Sequence, residues 1–189
     1  MNSKKSKQTI VWTAKELARI AVFVGLALAV QYVLSALPGV ELVTLLFAVF
    51  SFVYGAWRGA ISAVAFSLLR QCLFGFFPTV LLLYLVYYPL LAAAFGILGA
   101  WFSDWESNRK KTLLAIIIAI LLACICTVLF TVLDNVLTPW LAAYTAKATE
   151  LYWKASLPFL GTQLVCVSIS VGVLFYPLVK ALQALKKHG

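Results

Sequence analysis

The sequence is short of charge, of histidine and of catalytic spacings. Only 11% of its 189 residues are charged, against about 25% in a soluble domain. With 64% of the residues hydrophobic, a soluble globular enzyme, a disordered tail and a disulfide-rich secreted domain are all excluded. The single histidine, His188, lies at the C-terminal end. A His-rich metal site and a Ser-His or Cys-His pair in the core are therefore excluded. The four cysteines, Cys72, Cys124, Cys126 and Cys166, each sit inside an apolar run, and Cys124-Ile-Cys126 is not a CxxC spacing. They read as small packing residues. There is no HExxH, no GxSxG and no pair of aspartates within a helix. A serine or cysteine acting alone lacks a base. No enzyme activity, metal or cofactor is expected.

What the chain has is apolar runs. They cover about residues 17–37, 41–57, 59–76, 79–102, 112–135 and 158–183. A membrane helix needs about 20 such residues, so six would use about 120 and leave no room for a separate soluble domain. The expectation is an all-α membrane protein of one integral domain, residues 1–189, with six transmembrane helices and a basic tail over 1–16. The net charge of +9 reads as topology rather than nucleic-acid binding, because cytoplasmic loops collect Lys and Arg. With the N-terminus inside, 12 of the 15 positive residues fall on the cytoplasmic side, leaving Arg70, Lys147 and Lys154. Both termini are thus expected in the cytoplasm, and the protein in the cell membrane. Pro38-Gly39, Arg58-Gly59 and Gly75 with Pro78 mark turns. The 103–111 loop reads as solvated. In the outer 136–157 loop, Trp140, Leu141, Tyr144, Ala148, Leu151 and Tyr152 fall on one helical face. That pattern predicts a short helix on the membrane surface, either an aromatic anchor or a lid.

Polar residues inside apolar helices are expensive, about 2.5–3.5 kcal/mol for an ionisable group on insertion scales. Here they gather at one depth. Gln31 and Tyr32, Glu41, Arg70 and Gln71, Asp134 and Asn135, and Gln163 all fall toward the outer ends of five runs. Two readings stand: a polar cavity open to the outside, or structural pairing of Arg70 with Asp134 or Glu41. In the first, Arg70 supplies charge, Asp134, Asn135 and Gln163 supply polar contacts, and Tyr32, Trp140 and Trp153 supply stacking area. The first run also carries a stripe of small residues, Ala14, Ala18, Ala21, Gly25 and Ala29. Such stripes let another helix approach closely, within the chain or from a partner subunit.

Six short helices, a small-residue stripe and no ATPase motif resemble the substrate-binding S components of energy-coupling factor (ECF) vitamin transporters. Ala21-Val-Phe-Val-Gly25 resembles the family's AxxxA motif, with Gly in the second place. The Tyr54 to Ala63 turn resembles its Gly-x-x-x-Gly-Ala inner turn, and Tyr88 to Gly99 its fourth helix. Pro38-Gly-Val-Glu-Leu-Val43 and Trp153 to Phe159 are similar to segments of some members. The resemblance implies a protein that binds a vitamin-like micronutrient outside and does not hydrolyse ATP. It implies docking through helix one, at Ala18, Ala21, Gly25 and Ala29, on a membrane T subunit that carries two cytoplasmic ATPases. Cobalamin or a precursor, riboflavin, folate, pantothenate and a pyridoxine-type compound stay open as substrates, with a lean to the cobalamin type. The other readings are an ion-coupled secondary transporter, against which the peripheral carboxylates and missing inverted repeat count, and a non-transporting scaffold.

Overall fold

A computed structural model describes residues 13–36, 42–105 and 108–188. The chain is all-helical: α1 (Ala14–Leu34), α2 (Val43–Tyr54), α3 (Ala56–Phe74), α4 (Pro78–Trp101), α5 (Arg109–Leu141) and α6 (Ala146–His188). Four of them, α1, α4, α5 and α6, are long and apolar enough to cross a membrane. The two others depart from that standard for different reasons. α3 carries Arg58, Arg70 and Gln71 within its 19 residues. α2 has 12 described residues, about 18 Å of helix against a hydrocarbon core of about 30 Å. It is the centre of the bundle instead. Ten of its twelve residues are buried, and all the other helices pack on it. A helix apolar all round is a core helix, and α2 is one.

Around α2 the order is α1, α3, α4, α5, α6, each packed on the next, while α6 and α1 do not close the ring. The core is aromatic. Phe23 stacks on Phe50 at 4.0 Å, and Phe47 meets Phe66 and Tyr88 at 5.3 and 4.9 Å. The outer surface is apolar as well: Val22, Leu121, Ile125 and Val173 are all exposed. Such a surface suits lipid, where packing rather than hydrophobicity sorts inside from outside.

The α2–α3 junction and α4 lock by close approach. Gly55 turns the chain at φ 91°, a region open to glycine. α4 then presses Gly96 onto the Ala56 backbone and Gly99 onto the Phe52 carbonyl, where an added Cβ would collide with main-chain atoms. Helix α1 opens on a capping box, Thr13 Oγ1 accepting from Glu16 N–H while Glu16 accepts from Thr13 N–H. Arg58 then pairs with Glu16, and Lys186 donates to the Val53 carbonyl at 2.9 Å. These contacts bring the starts of α1 and α3 and the ends of α2 and α6 to one end of the bundle, called here the terminal end. Arg70, Lys147 and Lys154 lie toward the other, far end.

Three expectations need correction. Arg58-Gly59 is not a turn: the chain turns at Gly55, and both residues lie inside α3, where Gly59 packs closely on Ser51. The surface helix within 136–157 is not an element of its own. α5 runs on to Leu141, the chain turns through Ala142–Thr145 with Ala143 at φ 51°, and α6 starts at Ala146. Thr145 Oγ1 accepts from Ala148 N–H and opens α6. α6 continues unbroken through Pro158 for 43 residues, about 64 Å, longer than a bilayer is thick. The helical periodicity was real, but it serves two helix ends that pair with each other. The solvated reading of the 103–111 loop also fails at Trp105, which is 1% exposed. Its ring packs against Phe52 and Tyr176 at 5.5 and 5.4 Å, sealing the terminal end of the core.

Candidate solute-binding site

Two polar clusters lie side by side at the far end. The first joins α1, α3 and α4. The Arg70 guanidinium sits over two rings, 4.8 Å from the Tyr84 centroid and 4.9 Å from that of Phe74. Cation–π contact of this kind contributes about 0.5–2 kcal/mol but satisfies no N–H. Arg70 Nε and Nη1 are buried with no hydrogen-bond partner among the described residues. Gln31 Nε2 donates to the Tyr84 hydroxyl at 3.1 Å, and its Oε1 is buried without a partner. Gln71 Oε1 accepts the Phe77 backbone N–H at 3.0 Å. That bond fixes the amide and leaves its buried Nε2 as a donor without an acceptor.

The second cluster lies in the α5–α6 hairpin. Asp134 accepts from the Thr138 hydroxyl at 2.7 Å and from the Tyr152 hydroxyl at 2.8 Å. Neither Arg70 nor any other cation pairs with it among the described residues. Ser156 gives its hydroxyl proton to the Trp153 carbonyl at 2.8 Å, so toward Asn135 it must accept, from Nδ2 at 2.7 Å. This orients the Asn135 amide. Its Oδ1, in a side chain 2% exposed, is left as an acceptor with no donor. Beside this network is a cavity of about 260 Å3 lined by Phe130, Thr131, Asp134, Tyr152, Ser156 and Gln163.

One aromatic chain joins the clusters. Tyr84, under Arg70, lies 6.1 Å from Phe130, which walls the cavity. The band thus offers orphaned donors at one end, a held carboxylate and an orphaned acceptor at the other, and rings between. A buried polar atom without a partner loses about 1–3 kcal/mol, and most such atoms in proteins are paired. Five such atoms, on Gln31, Arg70, Gln71 and Asn135, belong to the far-end clusters, while Ser51 Oγ and Trp105 Nε1 lie elsewhere in the core.

The sequence-derived residues divide accordingly. Arg70 and Gln31 meet at Tyr84, with Gln71 bonded to the Phe77 backbone; Asp134 and Gln163 line the cavity, and Asn135 bonds to its wall at Ser156, whereas Arg70, Gln31 and Gln71 do not line it. The alternative in which Arg70 pairs with Asp134 is not what the structure shows. Tyr32 is 66% exposed and packs on Phe74 outside the band at 5.9 Å; Trp140 is 74% exposed. Neither faces the cavity, and Trp153, 38% exposed, does not line it. Glu41 lies outside the described residues. Tyr84, Phe130, Thr131 and Ser156 escaped the sequence reading, since an aromatic or hydroxyl residue in an apolar helix announces nothing. Tyr152 was noticed only as part of a helical face.

Tyr152→Phe isolates one part of this network. It removes a hydrogen bond to a charged group, worth about 1.5–3 kcal/mol, and keeps the ring. Retention of a bound solute, read by native mass spectrometry, is expected to fall about tenfold, while the thermal midpoint falls by several degrees and the helix content below it stays that of the parent.

The small-residue stripe faces outward. Ala14, Ala18, Ala21, Gly25 and Ala29 are all exposed, whereas Ile20, Phe23, Val24, Ala27 and Leu28 face the bundle. A Cβ added at Gly25 would meet nothing within 4 Å. Packing among the described residues therefore does not account for the stripe. No protein-family model, no curated protein and no solved structure matches this chain.

Proposed function

We propose that the chain is the membrane-embedded, solute-binding component of an importer, of the S-component type that its sequence resembles. In this reading it spans the cell membrane six times with both termini in the cytoplasm, and α2 and α3 complete the spans. It captures a ring-bearing, partly charged micronutrient at the far, outer end. It passes that solute inward with a membrane T subunit and two cytoplasmic ATPases, and hydrolyses no ATP itself.

The observation that carries the reading is the band of orphaned polar atoms on Arg70, Gln71 and Asn135 beside a cavity. Intramembrane ionisable groups are functional by default, and Arg70 has ring partners but no ion pair among the described residues. The cavity is smaller than the roughly 300–1,000 Å3 of drug-sized sites. It therefore favours a compact solute, such as a pyridoxine-type compound, over one of cobalamin size. The outward stripe on α1 supports the docking role of Ala18, Ala21, Gly25 and Ala29, because close helix approach needs small residues on the free face.

Ala21→Trp separates binding from transport. A bulky ring on the stripe is expected to abolish uptake by intact cells and leave solute retention by the purified chain within twofold. Uptake that survives this change refutes docking through α1. Uptake that follows an ion gradient, and not partner ATPases, refutes the importer reading in favour of an ion-coupled carrier.

A further inference from the structure

Helices α1 and α6 do not pack on each other among the described residues, although α2 packs on both. The gap is a trough of about 380 Å3, open on one side. Val22 and Leu26 of α1 and Leu182 and Leu185 of α6 wall it, and Phe50 and Tyr54 of α2 floor it. At the terminal end it meets a hollow of about 80 Å3 that shares Arg19, Phe50 and Tyr54 with it. Three cations and one carboxylate line that hollow: Arg19, Arg58, Lys186 and Glu16.

The charges there do not cancel. Arg58 is engaged by Glu16 and by the Tyr54 carbonyl. Lys186 spends one of its three donors on the Val53 carbonyl and lies 5.7 Å from the Tyr54 ring centroid. Arg19 lies 5.8 Å from the same centroid and forms no ion pair among the described residues. Two cations thus rim the mouth of an apolar trough, where the greasy surface of the bundle meets its charged end.

One ligand chemistry matches both features: an aliphatic tail with an anionic head. A soluble anion would leave the trough unfilled, and a zwitterionic lipid would leave the rim with excess positive charge. We propose that this groove is a binding site for an anionic phospholipid, with one acyl chain between α1 and α6 and the phosphate between Arg19 and Lys186. Basic pockets between membrane helices attract anionic headgroups in this way. The site lies at the opposite end from the solute band and shares no residue with it. The proposal rests on the membrane setting and is independent of what the far end binds. A lipid seated there bridges two helices that otherwise do not touch, so it stabilises the fold by binding to the folded chain alone.

The test uses the full chain, stripped of lipid in detergent and titrated with palmitoyl-oleoyl phosphatidylglycerol or with phosphatidylcholine of the same chains. Native mass spectrometry counts the lipid retained. The expected result is one phosphatidylglycerol per chain, held at least tenfold more tightly than phosphatidylcholine. Arg19→Gln with Lys186→Gln should weaken it about 25-fold, at about fivefold per cation. Val22→Trp, which fills the trough and keeps the charge, should weaken it too. Lys147→Gln with Lys154→Gln removes equal charge at the far end and should change nothing. Equal retention of the two lipids overturns the proposal. So does equal loss in the far-end control, or a second copy of the chain occupying the groove of the purified protein, from which the T subunit proposed to dock at Ala18, a residue of the trough, is absent. If the charge variants fail to fold, the comparison of lipids on the parent chain and on Val22→Trp decides alone.

Discussion

Arg70→Ala is expected to abolish solute retention, with a loss of about 100-fold, and to leave the helices folded. The reasoning starts from burial. The guanidinium is held over Tyr84 and Phe74 with Nε and Nη1 unpaired, so its ground state is already short of hydrogen bonds. A ligand that supplies acceptors there gains charge-assisted bonds without displacing a protein partner. Truncating one side of such a buried charged contact typically loses about 2–5 kcal/mol of binding. Removing the side chain breaks no ion pair among the described residues and loses only the two ring contacts, so the chain should still fold, with a lowered thermal midpoint. Arg70→Lys should recover only part of the affinity, because an ammonium cannot present the planar donors of a guanidinium. Native mass spectrometry of parent and variants, with circular dichroism for helix content, reads both quantities. A variant that keeps its solute at the parent level would make Arg70 a structural residue.

Gly99→Val is expected to prevent folding. The backbone of α2 lies against Gly99, and a Cβ there would overlap the Phe52 carbonyl oxygen. Overpacking a flexible neighbour costs about 1–3 kcal/mol. Here the neighbour is main chain inside the buried core helix, so the strain has no side chain to absorb it, and α4 must separate from α2. Gly96→Val, against the Ala56 backbone, should behave alike. Gly25→Ala is the matched control: with open space around it, the change should keep or raise stability through helix propensity. The measurement is the yield of monodisperse chain by size exclusion and its thermal midpoint. Normal yield and midpoint for Gly99→Val would mean that α2 and α4 are not locked at this point.

How far the sequence foretold this arrangement depended on contrast between residues. A charge in an apolar helix stands out, so Arg70, Asp134 and the depth they share were legible. So was the small-residue stripe, since its spacing does not depend on what it faces. The direction of each face was not legible. The middle of α1 (residues 20–30) and long stretches of α4 and α5 are apolar on every side, and in such helices periodicity assigns no inside. Tyr32 and Trp140 were therefore placed in a pocket that they turn away from, while Tyr84, which carries Arg70, passed unnoticed. The hairpin shows a related limit. The face bearing Tyr144 and Tyr152 was recognised, but its partner was taken to be a membrane surface. Its partner is α5: Tyr152 reaches Asp134 18 residues away, and Asn135 reaches Ser156. Contacts across a turn depend on where the turn falls, and the αL residue at Ala143 carries no glycine or asparagine to signal it. The central place of α2 was not legible either: its composition is that of any apolar span, and only its neighbours show that ten of its twelve described residues are buried among the other helices.

The central claim is that the far-end band holds a small solute. Native mass spectrometry of the chain, gently extracted from cells that make it, tests this most directly. The account predicts one retained, ring-bearing molecule of compact size on the parent chain, displaced in Arg70→Ala and reduced in Tyr152→Phe. A parent chain that is bare, under conditions in which its helices remain folded, would contradict the account and leave the orphaned atoms of Arg70, Gln71 and Asn135 without a function.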